Sequence, residues 1–205
     1  MTAQMSCTVL AFDTAAPCCA VAVLAGGRVV AQAEEPMQKG QAERLMGLCE
    51  DVLSGTGLAF HDLTAIGVGV GPGNFTGIRI SVAAARGLAL GLGVPAIGVS
   101  GFDALRFGHD GPCATAIAAR RGHLYVQSFD GGRVSAPVIV PEDAILNHAG
   151  PLIGARGIAP AHSTAVAIAH LAASRLGTPQ PRPAPLYLRP ADAAPARDSA
   201  PVILP

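Results

Sequence analysis

The sequence reads as an α/β protein in which helices cover a mixed sheet. Three features carry that reading. Short apolar runs bounded by turn residues open the chain, and an apolar stripe of helical period follows at 45–53. A further apolar run at 65–70 then enters a glycine-packed turn that leads into a second helix.

The elements follow in order. Residues 7–12 read as a buried strand ending in Asp13-Thr14, and strands at 19–24 and 28–34 join through Gly26-Gly27 into an antiparallel meander. Leu45, Met46, Leu48, Cys49, Val52 and Leu53 mark one face of a helix over 41–54, closed by Gly55. Ala65 to Val70 is a buried strand. Ile78 to Leu92 is a helix rich in small residues, and 96–99 is a strand whose following Ser100 begins a capping box with Asp103. The first hundred residues therefore give β-β-β-α-β-α-β. Beyond them, 113–119 and 123–129 form a hairpin around Arg120-Arg121-Gly122. Pro141 to His148 reads as a short helix with Glu142 and Asp143 in its first turn. Ser163 to Leu176 is an alanine-rich helix stopped by Gly177. Eight of the seventeen prolines fall in the last 28 residues, so the tail from 178 is expected to be extended rather than helical.

Composition narrows the function classes. With 14 basic and 14 acidic residues the formal net charge is zero, which argues against nucleic-acid binding through a dominant basic surface and leaves a local patch open. Five scattered cysteines (Cys7, Cys18, Cys19, Cys49, Cys113) lack metal spacing and fit reduced thiols in a cytoplasmic protein. The vicinal pair Cys18-Cys19 has no basic neighbour to lower a thiol pKa, so two small strand residues is the preferred reading. No window approaches about 20 uninterrupted apolar residues, so no membrane partner is expected. Six histidines show no H-x-x-x-H or H-E-x-x-H spacing, and no G-x-S-x-G elbow is present. No catalytic residue and no metal site is assigned.

Two places are candidate sites. Asp13 and Thr14, at the end of the first strand, suit a hydrated metal or a phosphate as well as they suit a local turn. The turn Gly71-Pro72-Gly73-Asn74-Phe75-Thr76-Gly77 can aim bare N–H groups at an anion, with Gly71, Gly73, Thr76 and Gly77 as the contributing positions. It is neither a Walker A loop nor G-x-G-x-x-G, and Arg79 is the nearby cation, so a structural turn that packs the next helix is preferred. On that helix Ala83, Gly87 and Gly91 form a smooth ridge that a partner helix could approach closely.

These motifs, in their order, identify a resemblance. Leu10-Ala11-Phe12-Asp13-Thr14-Ala15, Gly71-Pro72-Gly73-Asn74-Phe75-Thr76-Gly77-Ile78-Arg79, Gly87-Leu88-Ala89-Leu90-Gly91 and Val94-Pro95-Ala96-Ile97-Gly98-Val99-Ser100 resemble the TsaB (YeaZ) family. Ala119-Arg120-Arg121-Gly122-His123-Leu124-Tyr125 and Leu186-Tyr187-Leu188-Arg189 resemble two later signatures. The likeness implies the actin/Hsp70-like ATPase (ribonuclease-H-like) fold with two lobes, here 1–105 and a shorter 106–205. It is similar to TsaD, which transfers threonylcarbamoyl to N6 of adenosine 37 in tRNA and holds a metal through an H-x-x-x-H pair. The corresponding helix here begins Gln41-Ala42-Glu43 where relatives often show His-Ser-Glu, and Ala118 stands where they often show Asp.

The resemblance therefore implies a non-catalytic scaffold. It would dock a TsaD homologue through Leu45, Met46, Cys49, Arg79, Ala83, Gly87 and Gly91, with a TsaE-type ATPase in the assembly and tRNA engaged indirectly. A homodimer would form when TsaD is absent. No cofactor is expected beyond nucleotide at the complex interface. The rival reading is an ATPase-type enzyme with phosphates at Asp13, Thr14 and the 71–77 turn.

Overall fold

The computed structural model describes residues 7–188. The opening runs form the meander β1 (Thr8–Asp13), β2 (Cys18–Ala25) and β3 (Arg28–Pro36). β1 and β2 are buried along almost their whole length, which is why they read as unbroken apolar runs, whereas β3 is an edge strand that alternates. After α1 (Gln41–Ser54) come β4 (Ala65–Gly69), α2 (Phe75–Leu92), β5 (Ala96–Val99) and α3 (Gly101–Arg106). The first sheet has the order β3-β2-β1-β4-β5, with β4 parallel to β1 and β5 parallel to β4.

A second sheet contains β6 (Cys113–Ala119), β7 (His123–Asp130), β8 (Arg133–Val134), β9 (Val138–Pro141) and β10 (Leu152–Gly154). Its order is β10-β6-β7-β8, and β9 also pairs with β7. The chain then returns through α4 (Thr164–Arg175) to the first sheet. α1 and α2 cover one face of that sheet through Leu45, Leu48, Cys49, Ile78 and Val82, while α4 covers the other through Ala165, Ile168 and Ala172.

Two expectations need correction. The second helix starts at Phe75 rather than Ile78, because the Asn74 side chain caps it and draws Thr76 and Gly77 into the first turn. No helix forms over 141–148. Val138–Pro141 instead pairs with His123–Val126 as a strand, and the Glu142 amide donates to the Gly122 carbonyl at 2.7 Å. The β-branched run Val138-Ile139-Val140 outweighs the acidic first-turn signal.

α2 is long and apolar enough by composition to cross a membrane, and its buried positions pack on the first sheet. Residues 178–188 carry no helix or strand, as expected, and the remainder of the proline-rich tail lies outside the described residues. The Leu186 amide donates to the Val70 carbonyl at 2.7 Å, and Leu186 and Leu188 pack against the cluster of Phe102, Cys113, Phe129 and Ile153. This short segment thus touches both sheets.

Candidate functional site

A cleft of about 430 Å³ opens between the two sheets, lined among others by Asp13, Gly71, Asn74, Arg120, Tyr125 and Thr164. Asp13 closes its floor at 5% exposure. One carboxylate oxygen accepts the Ala15 amide at 2.8 Å. Burial nevertheless dominates and raises the carboxyl above its ordinary value; the amides of Ala15 and Ala16 work against that rise and Glu34 adds to it.

The unfolded chain releases this proton at the ordinary carboxylate pKa and the folded chain only at higher pH. The contribution to stability is complete below the ordinary value and is lost as pH rises through the folded one. Asp13→Asn keeps the oxygen that accepts from Ala15 and removes the charge. It should therefore unfold at higher urea concentration than wild type at pH 8, with the gap closing towards about pH 4. A variant equally or less stable at pH 8 would contradict this.

Behind the cleft, the glycine turn is packed against the residues that follow β1. Thr14 is fully buried, and its hydroxyl donates to the Gly77 carbonyl at 2.6 Å. The Asn74 amide donates to the Ala15 carbonyl at 2.8 Å. A Cβ on Gly77 would overlap the Thr14 carbonyl oxygen, and one on Gly73 would lie 2.7 Å from that of Ala15. Gly71 holds a φ of +90°, and its carbonyl accepts from the Gly101 amide at 2.8 Å.

Several of the turn's donors are engaged internally. The Thr76 and Gly77 amides both donate to the Asn74 side chain at 3.0 Å, and the Ile78 amide donates to the Asn74 carbonyl at 2.9 Å. The structure thus brings Asp13, Gly71 and Gly73 to the cleft, buries Thr14 and Gly77 against each other behind it, and leaves Thr76 exposed on the helix.

The α1 end also fails to suit a metal. The Gln41 side chain donates to the Met37 carbonyl at 3.2 Å, and Arg44 engages Glu35 at 2.7 Å and Asp51 at 2.8 Å. Among the described residues no group of three His, Cys, Asp or Glu side chains is placed to hold a metal. Burial pushes the thiols of Cys18 and Cys19 up to about 12 and about 11, which suits inert strand residues.

The second candidate surface is the outer face of α2. Arg79, Ala83, Gly87 and Gly91 are exposed there, beside Leu90 at 83%. Among the described residues no atom lies within 4 Å of where a Cβ on Gly87 or Gly91 would stand. Two residues expected on a partner interface are elsewhere: Leu45 and Cys49 are 1% and 0% exposed, because the apolar stripe of α1 seats that helix on its own sheet. Met46 is half-buried.

Sequence reasoning missed an aromatic cluster at the start of this face. The Phe75 ring stacks on Tyr187 at 5.0 Å, and the Arg79 guanidinium lies 3.9 Å over Phe75 and donates to the Tyr187 hydroxyl at 2.8 Å. The available signal was an exposed phenylalanine in a glycine turn and a tyrosine flanked by leucines; no sequence spacing links them.

Two sheets with covering helices around a central cleft make this an actin/Hsp70-like ATPase fold. The family profile described as TsaD, tRNA N6-adenosine threonylcarbamoyltransferase, matches residues 33–151. The chain is 38% identical over 122 residues to the tRNA threonylcarbamoyladenosine biosynthesis protein TsaB of Escherichia coli, covering 57% of this chain and 52% of that one. It thus spans about half the length of that relative. It is 33% identical over 202 residues to the uncharacterized protein Rv3421c of Mycobacterium tuberculosis, covering 92% of this chain and 94% of that one. The structure of YeaZ from Pseudomonas aeruginosa superposes with a TM-score of 0.71 at 27% identity, over 89% of this chain and all of that one. The chain belongs to the TsaB family of the TsaD-like proteins.

Proposed function

We propose that this chain is a non-catalytic scaffold subunit of the machinery that makes threonylcarbamoyladenosine at position 37 of tRNA, working in the cytoplasm. The outer face of α2 carries this reading. Ala83, Gly87 and Gly91 leave a low-relief strip, flanked by exposed Arg86 and Leu90, on a long helix where no described residue lies within 4 Å of the Gly87 and Gly91 Cβ positions, and a second helix can approach such a strip to backbone contact. Phe75, Arg79 and Tyr187 add the residue types that anchor interfaces.

A TsaD-type protein is the proposed occupant, a TsaE-type ATPase joins the assembly, and a second copy of the chain takes the face when the partner is absent. The lobes divide at 105/106, with α4 returning to the first sheet. The test is titration of the chain with a TsaD homologue, together with the threonylcarbamoyladenosine content of tRNA from cells lacking the chain. No complex and unchanged tRNA would refute the reading.

The cleft at Asp13 favours a second reading, an ATPase-type enzyme. The amides engaged by Asn74 argue against a phosphate cradle at the turn. Calorimetry with ATP and magnesium is expected to show no heat of binding to the isolated chain; micromolar binding with turnover would reverse the ranking.

A further inference from the structure

Among the described residues, the non-glycine residues with left-handed backbone are two arginines, Arg121 at φ 61° and Arg156 at φ 63°. Glycine or asparagine is the easier occupant of that conformation, so a side chain kept there points to a use for the side chain. Arg121 lies two residues past β6, and Arg156 two residues past β10. These strands are parallel, with Gly154 opposite Ala116, so both turns stand at the same end of the second sheet. Arg120, next to Arg121 in the same turn, also lines the cleft.

All three arginines are exposed, and none forms an ion pair among the described residues, whereas Arg44 and Arg175 are paired with carboxylates. The acids nearest to Arg120-Arg121 along the chain, Asp110 and Asp130, stand at the other end of the β6–β7 hairpin, while Glu142 and Asp143 follow β9 at this end, on the flank of β7 away from β10. Lys39 is exposed on the first-sheet side of the molecule, after β3. It is two residues beyond Met37, whose amide donates to the carbonyl of the cleft-lining Pro17.

Guanidinium groups on an open rim match an extended polyanion better than one enclosed phosphate, because each fork can take a separate phosphate. We propose that the Arg120–Arg121–Arg156 rim binds the phosphate backbone of RNA, so that tRNA touches this subunit directly and not only through its partner. That the RNA is tRNA rests on the proposed function. Among the described residues the one aromatic ring lining the cleft, that of Tyr125, is half-buried, so the contact reads backbone and not bases.

The double variant Arg121→Gly with Arg156→Gly tests this without endangering the fold, since glycine adopts both backbone conformations freely. Anisotropy titration of the full chain with a tRNA transcript at several salt concentrations should show wild-type affinity falling linearly in log–log form. The variant should melt no lower than wild type and lose about tenfold or more in affinity at low salt. Its salt slope should fall by about 1.5, for two contacts. Unchanged affinity and slope would overturn the proposal, as would polyglutamate competing as well as tRNA. Loss of tRNA binding in a chain that never docks a TsaD homologue would uphold the rim and defeat the docking reading, so the two fail separately.

Discussion

Replacing Gly87 with tryptophan is expected to weaken the complex with a TsaD homologue by a hundredfold or more, while the melting temperature of the chain alone stays within about 3 °C of wild type. The two halves of that expectation come from one observation: no atom of the described residues lies within 4 Å of the Cβ position on Gly87. The indole therefore disturbs nothing internally, and tryptophan is a better helix former than glycine. It would stand, however, on the strip where a second helix must come close. Ala83→Trp should behave alike. Titration calorimetry paired with thermal melts reads both quantities, and wild-type affinity in either variant would remove α2 as the docking surface.

Gly77→Ala should show the opposite pattern, with the fold itself losing about 3 kcal/mol or more. Helix propensity alone predicts a gain of about 1 kcal/mol, since Gly77 lies in the first turn of α2. Geometry decides against it. The new methyl overlaps the Thr14 carbonyl oxygen, a backbone atom next to a fully buried side chain, and neither side can move as a flexible tip would. The Thr14 hydroxyl bond to Gly77 would also stretch. Urea denaturation measures the effect, and a loss under 1 kcal/mol would mean that α2 shifts away from β1 easily. Two glycines ten positions apart on one helix thus separate packing from docking.

Local signals explain which parts of this architecture were legible. The stripe at 45–53 placed α1 over Gln41–Ser54, because period and stop residue agree over nearly four turns. The same stripe could not say what covers it, so Leu45 and Cys49 read as interface when they are core. Asn74 was hidden as a cap because a glycine-rich turn surrounds it, which cost three residues at the start of α2. Glu142 and Asp143 suggested a helix since pairing of Val138–Pro141 with β7 is not encoded locally. Of the cleft, Asp13, Gly71 and Gly73 were named from sequence, but Tyr125 and Arg120 reach it only through the topology of the second sheet, and Thr164 only through the return of α4 to the first. The left-handed turn at Arg156 left no mark in composition at all.

The bond between Arg79 and Tyr187 joins residues 108 positions apart. On a ribosome adding about 5–20 residues per second, α2 would emerge roughly 5–20 s before the tyrosine that fastens its first turn exists. During that interval Phe75 lacks its stacking ring and Val70 lacks the amide of Leu186. The closing of a loop this long comes late in folding, after local contacts are made. The nascent first sheet therefore waits with the first turn of α2 unfastened, and the last stretch of described chain to be synthesised secures it.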